Sequence, residues 1–109
     1  MATRATILIK LDEEKYRIYH HCDGNPEGIG KDLKAYLEEK KDHKWYPDYI
    51  ANDLIKGKVA NDDGYELTNC QHGDENYAYL IDCNEKKLKC FQVGWDDHDW
   101  TDDKLVEIP

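Results

Sequence analysis

Cysteine and histidine side chains are the residues of this chain best suited to specific chemistry. Five of them are predicted to meet at one end of the fold: Cys22, Cys70, His72, His98 and His21. Thiolates and imidazoles are preferred zinc ligands, and four of them make a closed, structural site. No cysteines form a C-x-x-C pair, so the spacing is a weaker zinc signal than that of a zinc finger. We therefore expect a structural zinc ion here, the alternative being core and loop residues without metal.

Strand directions are the reason to expect these residues together. The second predicted strand ends at Cys22, and two helices then return the chain to the opposite end of the sheet. A third strand running the same way as the second would deliver Cys70 and His72 beside Cys22, and the fifth would end shortly before His98. If Leu67 faces the core, strict alternation along the strand points Cys70 to the opposite face. The site therefore requires the third strand to bend or end before Cys70.

Hydrophobic periodicity predicts the elements that position these residues. The predicted strands cover residues 6–11, 16–22, 65–70, 76–83 and 88–95, and the helices begin near residues 29 and 45. The resulting order, ββααβββ, favours an α+β fold with one mainly antiparallel sheet and two helices packed on one face. The last apolar run, 105–108, would add an edge strand or lie over the core. A chain of 109 residues is expected to form a single domain, 1–109.

The remaining two cysteines are expected to be core residues, and no pair of side chains is suited to catalysis. Cys83 and Cys90 would lie on one face across a turn, within reach of a disulfide or shared ligand, and buried free thiols are the favoured interpretation. Cys22 and His21 are neighbours on a strand, so their side chains point to opposite faces and make a poor nucleophile–base pair. We therefore expect no enzyme, and a metal-dependent hydrolase is the least favoured function.

Charge and aromatic content indicate a protein partner. The formal net charge of −9 disfavours nucleic acid and anionic membranes as direct partners. Tryptophan commonly anchors interfaces, and carboxylates complement a basic groove. The predicted partner-binding residues are Trp95, Asp96, Asp97, Asp99, Trp100, Asp102 and Asp103. Simple solubility is the alternative explanation of the acidity, and with no apolar stretch long enough for a membrane helix or signal peptide, a cytoplasmic protein is expected.

The first third of the chain also carries a family signature. Its matching residues are Thr3, Arg4, Ile7, Tyr19, His21, Asp23, Gly24, Pro26, Gly28 and Gly30, with weaker likeness at His72, Gly73, Asp74 and Tyr77. This pattern resembles a family of small, mostly uncharacterised phage and prophage proteins. The resemblance implies a phage-encoded inhibitor of a bacterial defence protein, acting in the host cytoplasm. Small acidic anti-CRISPR proteins that block Cas9-type nucleases have a similar composition, so a Cas9-type nuclease is the specific target we expect.

A small-molecule binder that sequesters a nucleotide signal is the alternative function. The glycine-rich segment from Asp23 to Gly30, with Lys31 and His21, would hold a phosphate, and tyrosines would stack on a base. Its spacing matches neither G-x-G-x-x-G nor the P-loop. The favoured interpretation is therefore a tight turn that brings a helix close to the sheet.

Overall fold

The computed structural model describes residues 2–109, which form one mixed six-stranded sheet with two helices on one face. The strands are β1 (Ala5–Leu11), β2 (Glu14–His20), β3 (Tyr65–Thr68), β4 (Tyr77–Asp82), β5 (Lys87–Gln92) and β6 (Leu105–Val106), and the helices are α1 (Lys31–Glu39) and α2 (Pro47–Ile55). The sheet order is β3-β2-β1-β4-β5-β6, with every pair antiparallel except β1 and β4. The predicted α+β class and arrangement are confirmed, and the last apolar run supplies β6.

Alternation along the strands builds the core. In the β1–β2 hairpin Ile7 lies directly opposite Ile18, and both are fully buried. Leu33 of α1 and Leu54 of α2 pack in the same cluster, so this side is the helix face of the sheet. The Tyr79 hydroxyl donates a 2.7 Å hydrogen bond from this cluster to the Gly24 carbonyl. That bond ties the segment before α1 to the centre of the sheet.

The predicted direction of the third strand is wrong. β3 pairs antiparallel with β2, with Tyr65 opposite His20 and Thr68 opposite Arg17, so β3 begins at the upper end of the sheet, where β2 finishes. The reason lies just before β3. The buried His20 ring places Nε2 2.7 Å from Asp62 Oδ2 and Nδ1 against the Cys22 carbonyl, which holds the chain leaving α2 at this upper end.

The remaining strand directions agree with the prediction. β4 runs parallel to β1, away from the upper end, and β5 returns antiparallel to it. The chain between β3 and β4, residues 69–76, must therefore travel back to the upper end, and we call it the return loop. No helix within residues 2–109 combines the length and apolar character needed to cross a membrane.

Candidate functional site

The return loop lies against the face of the sheet opposite the helices, here called the open face. Tyr19 points to this face because its neighbour Ile18 is in the helix-face core. The ring of His72 stacks on the ring of Tyr19 with their centroids 3.8 Å apart. The Tyr19 hydroxyl also lies 3.1 Å from each carboxylate oxygen of Asp74, and Arg4 Nε lies 3.3 Å from Asp74 Oδ2.

This contact favours the protonated form of Tyr19. Burial, followed by the hydrogen bond to Asp74, raises the pKa of Tyr19 to about 12. The phenol, which is protonated at neutral pH in any tyrosine, donates to the carboxylate here. Histidine stacking and the donated hydrogen bond together hold the return loop on the sheet without an apolar core.

A buried carboxylate, which the sequence analysis did not single out, shapes the loop itself. Glu75 is only 2% exposed, and its oxygens accept hydrogen bonds from the backbone amides of His72 and Gly73 at 2.9 and 2.7 Å. A buried carboxylate is costly unless such donors satisfy it. The sequence offers no local signal, since a glutamate between Asp74 and Asn76 looks like an ordinary polar turn residue.

The return loop in turn holds the segment after β5, residues 95–104, which we call the tail. Gly73 accepts a 2.8 Å hydrogen bond from the Asp96 amide, and Gln71 Nε2 donates to the Asp97 carbonyl at 2.8 Å. Gly73 has φ +98°, and a Cβ there would collide with the Asp96 carboxylate. Only glycine fits this junction without strain.

Two of the predicted partner-binding residues have structural roles. The Trp100 ring packs on Phe91, with centroids 5.9 Å apart, in a small apolar cluster of the open face. Asp97 accepts from Lys104 Nζ at 2.8 Å. The hydrogen bond from Lys104 is the largest cause that lowers the pKa of Asp97 below its ordinary value. The Trp100 contact attaches the tail to the sheet, and the Asp97–Lys104 pair closes the tail on itself.

The other five residues of that prediction form an exposed set, which we call the tail surface: Trp95, Asp96, Asp99, Asp102 and Asp103. Trp95 is 78% exposed, more than any other large hydrophobic residue among residues 2–109. The one lysine or arginine of the tail is Lys104, which pairs with Asp97. The tail surface thus combines an exposed indole with four exposed carboxylates that form no ion pair among residues 2–109.

The predicted zinc ligands are only partly brought together. Cys70 and His98 line one depression on the open face, and β3 ends before Cys70, as the predicted site required. The rings of His21 and His72 both contact the Tyr19 ring. Cys22 is exposed and belongs neither with Cys70 and His98 nor with these two histidines. Within residues 2–109 no group of three or more Cys, His, Asp or Glu side chains is placed to hold a metal ion. A closed tetrahedral site needs four ligands, so zinc binding would require these side chains to move closer together than the structure places them.

Cys83 and Cys90 lie in the helix-face core as free thiols. Burial is the main cause that raises the pKa of each to about 11. At neutral pH these thiols are therefore protonated and weakly reactive. This agrees with the favoured interpretation of both as core residues.

The glycine-rich segment before α1 is a turn whose amides are already used. The amides of Gly28 and Gly30 donate to the Asn25 carbonyl at 2.9 and 3.4 Å, and the Ile29 amide donates to the Asp23 carbonyl at 2.9 Å. A phosphate site on a glycine-rich loop needs free amides. The geometry favours the tight-turn interpretation over phosphate binding here.

The fold and site thus define an α+β protein with an acidic, aromatic surface held on the open face of its sheet. Comparison of the chain with protein-family models, with curated proteins and with solved structures gave no match. The resemblance to phage proteins therefore remains a prediction from the sequence signature.

Proposed function

We propose that this protein is a binding protein whose tail surface docks into a basic groove of another protein. The observation that carries the proposal is the 78% exposed Trp95 beside exposed carboxylates. Aromatic anchors supply contact area at interfaces, and complementary charge steers association and selects the partner. An exposed indole is a cost in water unless a partner covers it.

Attachment of the tail supports binding over mere solubility. The Asp96 amide donates to the Gly73 carbonyl, Gln71 Nε2 donates to the Asp97 carbonyl, and the Trp100 ring packs on Phe91. A surface that is already ordered loses less conformational entropy when it binds. A solubilising acidic segment would not need these attachments.

The target class follows from the charge and the sequence signature. A rigid row of carboxylates can occupy a groove that otherwise holds nucleic-acid phosphates, because both are anionic. With the resemblance to phage proteins, this supports an anti-CRISPR-like inhibitor of a bacterial defence protein in the cytoplasm of an infected host. A Cas9-type nuclease is the target to test first. In this role the protein acts by occupying the groove and catalyses no reaction.

The test is inhibition of DNA cleavage by a purified, guide-loaded Cas9-type nuclease. We expect the native protein to bind and inhibit, DNA to compete with it, and binding to weaken as salt rises. The triple variant Asp96→Lys, Asp99→Lys, Asp102→Lys should abolish inhibition and retain its melting temperature. Asp97 is left intact because it holds Lys104.

A matched control changes the charge equally elsewhere. Glu13, Glu39 and Asp42 are exposed and lie outside the tail, so their replacement by lysine gives the same net charge. This variant should inhibit like the native protein. Equal activity of both triple variants, or binding unaffected by DNA, would contradict the proposed surface. Lack of binding by the native protein would exclude the tested nuclease as the target.

A structural zinc ion is a separate proposal. Cys70 and His98, which share a depression, are the residues to substitute first. Native and denaturing mass spectra of freshly purified protein should differ by about 65 Da if one zinc ion is bound. The difference should disappear on chelation and in Cys70→Ser. Identical masses would contradict zinc binding and leave the tail-surface proposal untouched.

A further inference from the structure

The lower half of the open face, away from the end where β2 finishes, carries a cluster of basic side chains. Ile7 and Ile9 are fully buried in the helix-face core, so their neighbours Leu8 and Lys10 lie on the open face. The register of β2, β4 and β5 then places five cations on this face, in two neighbouring rows of directly opposed residues. We call them the basic strip: Lys10, Lys15, Arg17, Lys87 and Lys89.

The basic strip reverses the charge of the chain. Asp82 is the one carboxylate in its two rows, so five cations and one anion give these rows +4, in a chain whose net charge is −9. Asp82 Oδ1 already accepts hydrogen bonds from the backbone amides of Asn84 and Glu85, at 3.0 and 3.2 Å. None of the five cations forms an ion pair with a carboxylate of residues 2–109. The strip is therefore a concentration of unpaired positive charge.

Folding does not explain this arrangement. Lys10 and Lys15 are directly opposed in the β1–β2 hairpin, and like charges in that position destabilise a sheet. Lysines on an edge strand can protect a sheet against aggregation, but β1 lies inside the sheet with a strand on each side. An anionic partner over the strip would relieve the repulsion.

The upper half of the same face carries a complementary surface. The tail follows the upper end of β5 and rejoins that strand where Leu105 pairs with Phe91, above the rows of the basic strip. Its four exposed carboxylates form no ion pair among residues 2–109, and Trp95 is 78% exposed. One face of the protein thus has an acidic, aromatic upper half and a basic lower half.

Two copies can satisfy both halves at once. A half-turn about an axis parallel to the sheet and perpendicular to its strands brings two open faces together and exchanges their upper and lower ends. The acidic half of each copy then lies against the basic half of the other. The contact occurs twice and leaves no unused half, which is the property of a closed two-fold interface.

We propose that the protein forms a two-fold dimer through its open face, with the tail surface of each copy on the basic strip of the other. Opposite charges then face each other, and the Trp95 indole is removed from water. A long nucleic acid fits the strip less well, because the acidic tail on the same face repels phosphates. The dimer covers the tail surface, so self-association and the proposed target compete for it.

Sedimentation velocity of the purified native protein is the first measurement. We expect a monomer–dimer equilibrium whose dissociation constant rises at least about tenfold between about 50 mM and about 500 mM salt, because salt screens the facing charges. In NMR spectra the indole signal of exposed Trp95 should shift as the dimer forms, whereas that of buried Trp45 should not. A monomer at about 1 mM protein in the lower salt, or a dimer that salt does not weaken, would overturn the proposal.

Exchange of charge between the two surfaces identifies the contact. The strip variant combines Lys15→Glu, Lys87→Glu and Lys89→Glu, and the tail variant is the triple Asp96→Lys, Asp99→Lys, Asp102→Lys. Each variant has like charges on both of its surfaces and should remain monomeric. Mixed in equal amounts they should form a heterodimer, because each surface then meets its opposite. A mixture that stays monomeric would refute the contact.

A matched control changes the same charge near the helices. Lys31, Lys44 and Lys58 are exposed, and their replacement by glutamate should leave the dimer intact. Equal loss of the dimer in the control and strip variants would show that net charge, and not the strip, governs association. Lys87→Glu places a second carboxylate opposite Asp82. If it lowers the melting temperature, Lys15→Glu with Lys89→Glu repeats the comparison.

The dimer and the proposed function can fail separately. The strip variant should lose the dimer and still inhibit the nuclease, whereas the tail variant should lose both properties. A strip variant that dimerises like the native protein contradicts the dimer and leaves the tail-surface proposal standing. Absence of nuclease binding leaves the dimer standing. Single-stranded DNA that binds the native protein but not the strip variant would assign the strip to nucleic acid and exclude the dimer.

Discussion

The two faces of the sheet are built by alternate residues of the same strands, yet they are held together by different forces. On the helix face, Ile7, Ile18 and Leu33 belong to one continuous apolar cluster closed by α1 and α2. On the open face the apolar cluster is small, centred on Phe91, and the return loop and tail lie over this face. On that side, polar contacts to the main chain hold much of the return loop and tail in place.

The helix face supplies most of the stability, whereas the open face carries the proposed binding surface. Apolar burial on the helix face supplies most of the driving force for folding, because the hydrophobic effect scales with the area removed from water. The open face buries less, so its residues can be exposed carboxylates and an exposed indole. Glu75 and Gly73 then supply the order that packing does not.

The cysteines provide the test with the largest expected effect, because two of them are on the surface and two lie in the core. Cys22 and Cys70 are exposed, whereas Cys83 and Cys90 are buried with a pKa raised to about 11. With an aromatic disulfide reagent at pH 8, we expect two thiols to react at once. The other two should react at least about a thousandfold more slowly, since reaction requires both opening and ionisation.

The pH dependence of stability follows from the same pair. Burial favours the protonated form of these thiols in the folded protein. Above the ordinary thiol pKa, the unfolded chain therefore binds fewer protons than the folded chain. Stability should therefore fall as the pH rises through and above that value. Denaturant midpoints measured at pH 7 and pH 10, for the native protein and for Cys83→Ala, would show this loss of stability. In the labelling experiment described above, four thiols that react at equal rates would contradict the burial of Cys83 and Cys90.

Packing on the helix face is tested by truncating a fully buried residue. Leu33→Ala should lower the free energy of unfolding by about 2–5 kcal/mol, through lost transfer energy and a residual cavity. Leu105→Ala, at a 42% exposed position, should cost well under half as much. Urea unfolding with an unchanged slope measures both. Similar losses would mean that α1 does not close a tight core.

The polar organisation of the open face is tested at Glu75. Glu75→Gln keeps the size and one acceptor oxygen but loses the second, so one buried backbone amide of His72 or Gly73 is left unpaired. We expect a loss of about 1–3 kcal/mol and faster hydrogen exchange at that amide. Exposed Glu66→Gln is the control. Unchanged exchange in Glu75→Gln would show that the loop is ordered by other contacts.

Local pattern predicted the fold well and the site poorly, for a physical reason. Period-two alternation indicates which residues of β1 and β2 enter the core, as the register of the hairpin shows. The direction of β3 depends on a contact between His20 and Asp62, far apart in the chain. Hydrophobic periodicity carries no information about such a polar contact.

The same limit applies to the predicted ligands and partner residues. The predicted grouping of the zinc ligands depended on the assumed path of β3. The return loop brings Cys70 to His98 and His72 to Tyr19, and leaves Cys22 apart. Trp100 packs on Phe91 and Asp97 pairs with Lys104, two contacts that no sequence pattern predicts.

The smallest expected effect concerns the Asp97–Lys104 ion pair within the tail. The bond from Lys104 lowers the pKa of Asp97, so the pair adds stability above the ordinary aspartate pKa and loses it as the pH falls through the lowered value. In Lys104→Met the pKa of Asp97, followed by carboxyl NMR, should rise toward its ordinary value. The acid limb of the stability curve should change only slightly, because exposed pairs contribute little. If partner binding falls sharply in this variant while stability holds, the tail surface depends on the conformation that this internal ion pair holds as much as on its charge.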